Sequence, residues 1–169
     1  SKNAGDSQFT LTVNGASFIS GATVKFNGNN KATTFVNSTQ LTAVIPASDL
    51  TTGGSYDVIV ANPSPSVGDS SASTFSVNNL IPTTTSISAT SRSMGSAQFT
   101  LAVNGTNFIS TSVVRVNGSS RTTSFVNSTQ LTATILVTDQ ATEATLNITV
   151  FNSTPGGGTS NSQPLSIAS

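Results

Sequence analysis

A chain of 169 residues has room for one or two domains, and its six basic and six acidic side chains cancel. Only 7% of residues are charged, against about 25% in ordinary soluble domains. This excludes the basic footprint of a nucleic-acid binder and the polybasic patch of a membrane-surface protein. Cysteine and histidine are both absent, so disulfides and histidine-activated nucleophiles are excluded with them.

The opening residues Ser1-Lys2-Asn3-Ala4-Gly5 lack an apolar core and an initiator Met. They read as the start of a processed or trimmed product, or simply as where the chain begins. Period-2 alternation then takes over. Phe9, Leu11 and Val13 share one face, with Gln8, Thr10 and Thr12 between them. Val24 and Phe26 lead into Asn27-Gly28, a hairpin signal because both residues tolerate positive φ, and Thr33 to Val36 is expected to return as the partner strand. Leu41, Ala43 and Ile45 alternate up to Pro46. After a loop over 47–55, Tyr56, Val58 and Val60 form a strand that stops at Asn62-Pro63, and Phe75 and Val77 close the set.

The whole scheme then repeats. FTLTVNGASFISGATVKFNG at Phe9 is answered by FTLAVNGTNFISTSVVRVNG at Phe99, and TTFVNSTQLTAVI by TSFVNSTQLTATI, at a constant offset of 90 residues. A gap-free period of that length means two copies of one module. Six or seven short strands per copy, with turns every 8–12 residues, predict an all-β protein of two tandem immunoglobulin-like β-sandwiches. Residues 1–79 form the first, 80–85 a linker stiffened by Pro82, and 86–169 the second. A unit this small buries only about 60–65% of its unfolded surface, so strand pairing and packing of Val, Ile, Leu and Phe must hold it without covalent staples.

The copies differ at one end. Thr85-Ser86-Ile87-Ser88-Ala89 suits an opening strand in the second module, and its counterpart in the first falls before Ser1. The first sandwich is expected to lack that strand. Either upstream residues or nothing at all fills the place, or another chain adds a strand to the open edge, a contact that propagates head to tail into a filament.

No catalytic, cofactor-binding or metal-binding residues are expected. The acids Asp6, Asp49, Asp57, Asp69, Asp139 and Glu143 are scattered, and only Asp49 and Asp139 correspond between copies, where a turn or loop cap accounts for them. Asn14-Gly15, Asn27-Gly28, Asn104-Gly105 and Asn117-Gly118 sit at strand ends where positive φ is expected, and Gly156-Gly157-Gly158 lacks the lysine of a phosphate loop. Phe18 and Phe108 fit either a core or an exposed position. Six Asn-x-Ser/Thr sequons, at Asn37, Asn104, Asn117, Asn127, Asn147 and Asn152, are candidate glycosylation acceptors, though 16 Asn beside 29 Ser and 28 Thr produce about that many by chance. A low-charge, hydroxyl-rich surface is either tolerated as it is or covered by glycans or a partner.

The string Phe-Thr-Leu-x-Val-Asn-Gly-x-x-Phe, then Val-x-Phe/Val-Asn-Gly, then Ser-Thr-Gln-Leu-Thr-Ala resembles IPT/TIG domains, and Asn152 to Asn161 resembles the glycine-rich loop before their last strand. The second copy departs at Ile135-Leu136-Val137, and at Glu143-Ala144 for Gly53-Gly54, so that loop is expected to differ. The family's DNA-binding members use basic loops that this chain lacks. The resemblance to tandem bacterial extracellular members implies a non-enzymatic structural protein at the cell surface or outside the cell. It would be a subunit of a fibre, filament or adhesin, with self-assembly, neighbouring surface domains or glycans as partners and no nucleic acid or membrane insertion. The alternative is a carbohydrate- or protein-binding module pair of a larger receptor or secreted enzyme, which would call for an aromatic platform.

Overall fold

In the computed structural model, which describes residues 1–65 and 68–169, the alternating segments of the sequence are strands. The first unit, Ser1–Asn79, contains β1 (Lys2–Asn3), β2 (Phe9–Asn14), β3 (Thr23–Phe26), β4 (Asn29–Asn30), β5 (Thr33–Asn37), β6 (Gln40–Ile45), β7 (Gly54–Asn62), β8 (Gly68–Asp69) and β9 (Ser73–Asn78). One sheet runs β1-β9-β7-β3-β4 with β8 against β7, and the other runs β2-β6-β5. Period-2 alternation turns Val24, Phe26, Leu41, Ala43, Ile45, Val60 and Val77 inward, and these residues meet between the sheets as the core.

The second unit, Leu80–Ser169, adds a strand at its start. It contains β10 (Thr83–Ile87), β11 (Ser91–Ser93), β12 (Phe99–Thr106), β13 (Val113–Val116), β14 (Ser119–Ser120), β15 (Thr123–Asn127), β16 (Gln130–Ile135), β17 (Ala144–Asn152), β18 (Gly158–Thr159) and β19 (Gln163–Ala168). Its sheets are β11-β19-β17-β13-β14, with β18 on β17, and β10-β12-β16-β15. Every strand from β11 onward has its counterpart 90 residues earlier, and β10 has none. Within the segment expected as the linker, β10 begins at Thr83 and Pro82 is buried.

Three sequence expectations change. Asn27 (φ 48°) and Gly28 (φ 78°) do form the hairpin turn, but the partner of β3 is the two-residue β4, and β5 pairs with β6 in the other sheet. The chain changes sheets at Lys31-Ala32, where the Lys31 amide donates to the Val24 carbonyl and the Val44 amide to the Ala32 carbonyl. Thr33 Oγ1 completes the switch by accepting from the Val24 amide at 2.9 Å. Second, the loop expected to differ opens with a 3-10 turn in both copies, at Ala47–Leu50 and Val137–Gln140, and only the second has the Leu136 amide bonded to Asp139. Third, Lys2–Asn3 is a strand, parallel to β9 as β11 is to β19.

Phe18 and Phe108 are both core residues. Where the second unit has Val116, Leu146 and Leu165, the first has Phe26, Tyr56 and Phe75. Phe75 stacks on Phe9 with ring centroids 5.6 Å apart and meets Phe26 edge-on at 5.7 Å. This aromatic cluster packs against the first core.

Candidate functional site

The feature that distinguishes the two units is the edge at β2. Among the described residues β2 pairs only with β6, whereas its counterpart β12 lies between β16 and β10. The strand sequences, Phe-Thr-Leu-Thr-Val-Asn and Phe-Thr-Leu-Ala-Val-Asn, differ at one position. Their burial differs far more. Leu101 and Val103 are 0% exposed, while Leu11 and Val13 are half-buried and Phe75 across the gap is half-buried where Leu165 is buried.

In the second unit β10 is held by side chains as well as by main chain. Asn161 Oδ1 accepts from the Thr84 amide at 2.9 Å, and Asn161 Nδ2 and Gln163 Nε2 both donate to the Thr84 carbonyl, at 2.8 and 3.0 Å. Asn107 Nδ2 donates to the Ile81 carbonyl at 2.9 Å. The fully buried Asn152 donates from Nδ2 to the carbonyls of Leu80 (3.0 Å) and Asn107 (2.7 Å), and its Oδ1 accepts from Ser112 Oγ at 2.5 Å. The first unit keeps only Asn62 of these groups; Ser71, Ser73, Ser17 and Ala22 replace Asn161, Gln163, Asn107 and Ser112. Asn62 Nδ2 donates to the Ser17 carbonyl at 2.9 Å, and Asn62 Oδ1 is buried with no partner among the described residues. Beside it a cleft opens between Ala16, Phe18, Val60 and Gly68.

Gly105 and Gly15 do not have the positive φ expected of them. A Cβ on Gly105 would lie 1.9 Å from the Thr83 carbonyl oxygen and 2.6 Å from Phe108 Cζ, so close approach of β10 requires the glycine. On Gly15 the three atoms nearest the Cβ would all belong to the Phe18 ring, the first at 2.5 Å.

The sequons scatter over both units. Asn37 and Asn127 occupy equivalent exposed turns, each side-chain oxygen accepting from the amide two residues on, Thr39 or Thr129, at 2.9 Å. Asn117 and Asn147 are exposed and joined, the Asn147 amide donating to Asn117 Oδ1. Asn104 is half-buried, its amide engaged by Ser86 and Gln130. Asn152 is 0% exposed and bonded through both polar atoms, the least accessible of the six.

The acids do not converge either, and no group of three metal-ligating side chains lies together among the described residues. The two that correspond form ion pairs that sequence reading missed. Lys31 Nζ lies 2.5 Å from Asp49 Oδ2, and Arg121 grips Asp139 with Nε at 2.8 Å and with Nη2. The shared basic position, 31 and 121, was the available signal. Hydrogen bonding from Arg121 is the main cause that holds the Asp139 carboxyl below its ordinary range; burial opposes it, and the Leu136 amide and the guanidinium charge assist. A carboxylate favoured by the fold contributes stability above its ordinary pKa and loses it as pH falls through the lower folded value. Melting of the second unit should therefore weaken below about pH 4, and Asp139→Asn should flatten that decline while lowering the neutral plateau. Thermal melts from neutral to acidic pH check this; an equally steep decline in the variant would place the dependence elsewhere.

No helix is long and apolar enough to cross a membrane among the described residues. The IPT/TIG domain model matches residues 2–77 and again 82–167. No curated relative matches in sequence. Among solved structures the chain is similar to the plexin A4 extracellular region, with 16% identity, a TM-score of 0.36, and coverage of 79% of this chain and 12% of that one. It is also similar to Bacteroides ovatus SGBP-B in complex with a mixed-linkage heptasaccharide, with 15% identity, a TM-score of 0.33, and coverage of 99% and 43%. The D00-D0 domain of intimin matches at 10% identity and a TM-score of 0.32, over 98% of this chain and 87% of that one. Likenesses this distant add nothing beyond the domain family.

Proposed function

This chain belongs to the IPT/TIG family, two of whose domains it carries in tandem, and on that premise we propose that it is a non-enzymatic structural subunit of an extracellular or cell-surface fibre or adhesin. Its modules join neighbouring subunits or surface domains. The observation that carries this reading is the tandem of two IPT/TIG domains in one chain. The scarcity of charge supports the same reading, since such a surface is poorly solvated when left bare.

A carbohydrate-binding role draws on an exposed aromatic platform; tryptophan is absent and Tyr56, the one tyrosine, packs its ring on Phe26 at 5.4 Å, so that reading falls to the exposed phenylalanines Phe35 and Phe125.

The expected result is concentration-dependent association of the natural protein in sedimentation velocity, with ordered filaments in negative stain. Particles that stay monomeric and dispersed at every concentration would sink the proposal.

A further inference from the structure

We propose that Asn37 and Asn127 carry N-linked glycans, and that the first pyranose of each lies on the exposed phenylalanine two residues ahead of it, Phe35 or Phe125. The segment concerned, Phe-Val-Asn-Ser-Thr, stands unchanged at 35–39 and 125–129, and neither glycan requires the chain to assemble.

The six sequons share a consensus, but their asparagines are held in different ways. Asn152 is fully buried. Asn104 is half-buried and bonded to Ser86 and Gln130. Asn117 Oδ1 is taken by the Asn147 amide, and Asn147 lies within β17, paired with Pro164. Only at Asn37 and Asn127, among the described residues, does the sequon threonine bond its own asparagine. Thr39 Oγ1 donates to Asn37 Oδ1 and Thr129 Oγ1 to Asn127 Oδ1, each at 2.8 Å. The amide of the same threonine donates to the same oxygen at 2.9 Å. Two donors on Oδ1 fix the plane of the side-chain amide. Its Nδ2 bonds nothing among the described residues and stands on an exposed residue at the tip of a hairpin. That nitrogen is the nucleophile of N-glycosylation. Its lone pair forms the bond to the anomeric carbon of a lipid-linked glycosyl diphosphate. The carbon–oxygen bond to the diphosphate breaks, its electron pair leaves with the diphosphate, and the nitrogen gives one proton to a base of the transferase.

The ring is an independent observation. Phe35 with Val36, and Phe125 with Val126, are exposed apolar pairs at the same place in both modules. Apolar side chains exposed singly are ordinary, but a paired patch kept in two copies calls for a cover. In each module the register of the hairpin shifts between the phenylalanine and the asparagine, so the extra residue of a bulge separates ring from acceptor. A pyranose presents a face of C–H groups that packs on an aromatic ring. A glycan tethered two residues away reaches that ring without the loss of freedom that a free saccharide suffers on binding. The other four sequons have no such ring: two residues ahead of Asn104, Asn117, Asn147 and Asn152 stand Ala102, Arg115, Thr145 and Val150.

Tandem mass spectrometry of peptides from the natural protein should find Asn37 and Asn127 glycosylated, and more fully than any other sequon. Unmodified asparagine at either position overturns the proposal, whatever free saccharide the protein binds. Equal occupancy at Asn117 and Asn147 overturns the part given to the threonine-held turn. Calorimetry then compares the glycosylated chain with the same chain made in cells that lack the transferase, and each module should melt about 4–8 °C higher with its glycan. Phe35→Ala should remove that gain from the first module alone and Phe125→Ala from the second, whereas Phe35→Tyr, which keeps the ring, should preserve it. Each variant is measured as its glycosylated fraction against its own bare form, so that the lost side chain cancels. An equal gain in the parent and the alanine variants overturns the seating of sugar on ring.

Discussion

Fusing Leu80–Thr90 directly ahead of Ser1 should raise the melting temperature of the first module by about 10 °C. The offset makes this graft exact in length, since Thr90 precedes Ser91 and Ser91 is the counterpart of Ser1. Moving one isoleucine from water into a core contributes about 2 kcal/mol. The main-chain bonds of the added strand and the entropy of ordering it largely offset each other, and in a domain of this size each 1 kcal/mol is worth about 4–8 °C. Adding Ser71→Asn and Ser73→Gln to the graft restores two of the clamps seen around Thr84 and should add about 1–2 kcal/mol. Calorimetry of the parent, the graft and a graft carrying aspartate at the isoleucine position checks the claim. An unchanged melting temperature in the graft, or the same rise with aspartate, would mean that the edge at β2 does not accept a strand in this register.

The second large effect concerns a pair of glycines that look interchangeable. Gly105→Ala should cost the second module about 4 kcal/mol, whereas Gly15→Ala should cost the first only about 1–2 kcal/mol. Both new methyl groups press on a phenylalanine ring, that of Phe108 or Phe18. Only the one at 105 also meets backbone, the Thr83 carbonyl at 1.9 Å, and backbone within a paired strand cannot step aside as a ring can. The variant should therefore expel β10 and give the second module the open edge that the first already has, with faster amide exchange at Ala102 as the local sign. Equal destabilisation at the two sites would show that β10 is not pressed against Gly105 in solution.

Much of this architecture was legible in the sequence, because duplication let each copy serve as a ruler for the other. The alternation of Phe9, Leu11 and Val13 identified an inward face, and Thr85–Ala89 stood out as an alternating segment ahead of the second copy, where β10 lies. What period-2 alternation does not carry is sheet membership. Asn27-Gly28 declares a turn, but whether the next strand stays or crosses depends on Lys31-Ala32 and on the Thr33 hydroxyl taking over one main-chain bond. The polar clamps were hidden for a similar reason. Asn152 and Asn161 look like ordinary loop asparagines, and their partners lie 72 and 77 residues away. The glycines were read as conformational and proved to be steric at Gly15 and Gly105, since strand ends impose either requirement. Phe35 and Phe125 also sit in alternating segments and yet are 38% and 42% exposed, on β5 and β15, which are edge strands whose register shifts at that residue.

The packing of Tyr56 on Phe26 has a further use. The chain has one tyrosine and no tryptophan, so its absorbance and emission near 280–300 nm arise from a single ring, and that ring sits in the first module, with its hydroxyl bonded to the Thr52 carbonyl at 2.7 Å. Near-ultraviolet spectra of the intact, unlabelled chain thus follow one of two nearly identical modules and are almost blind to the other. Ligand titrations and denaturation curves read this way can be assigned to the open module without cutting the chain in two.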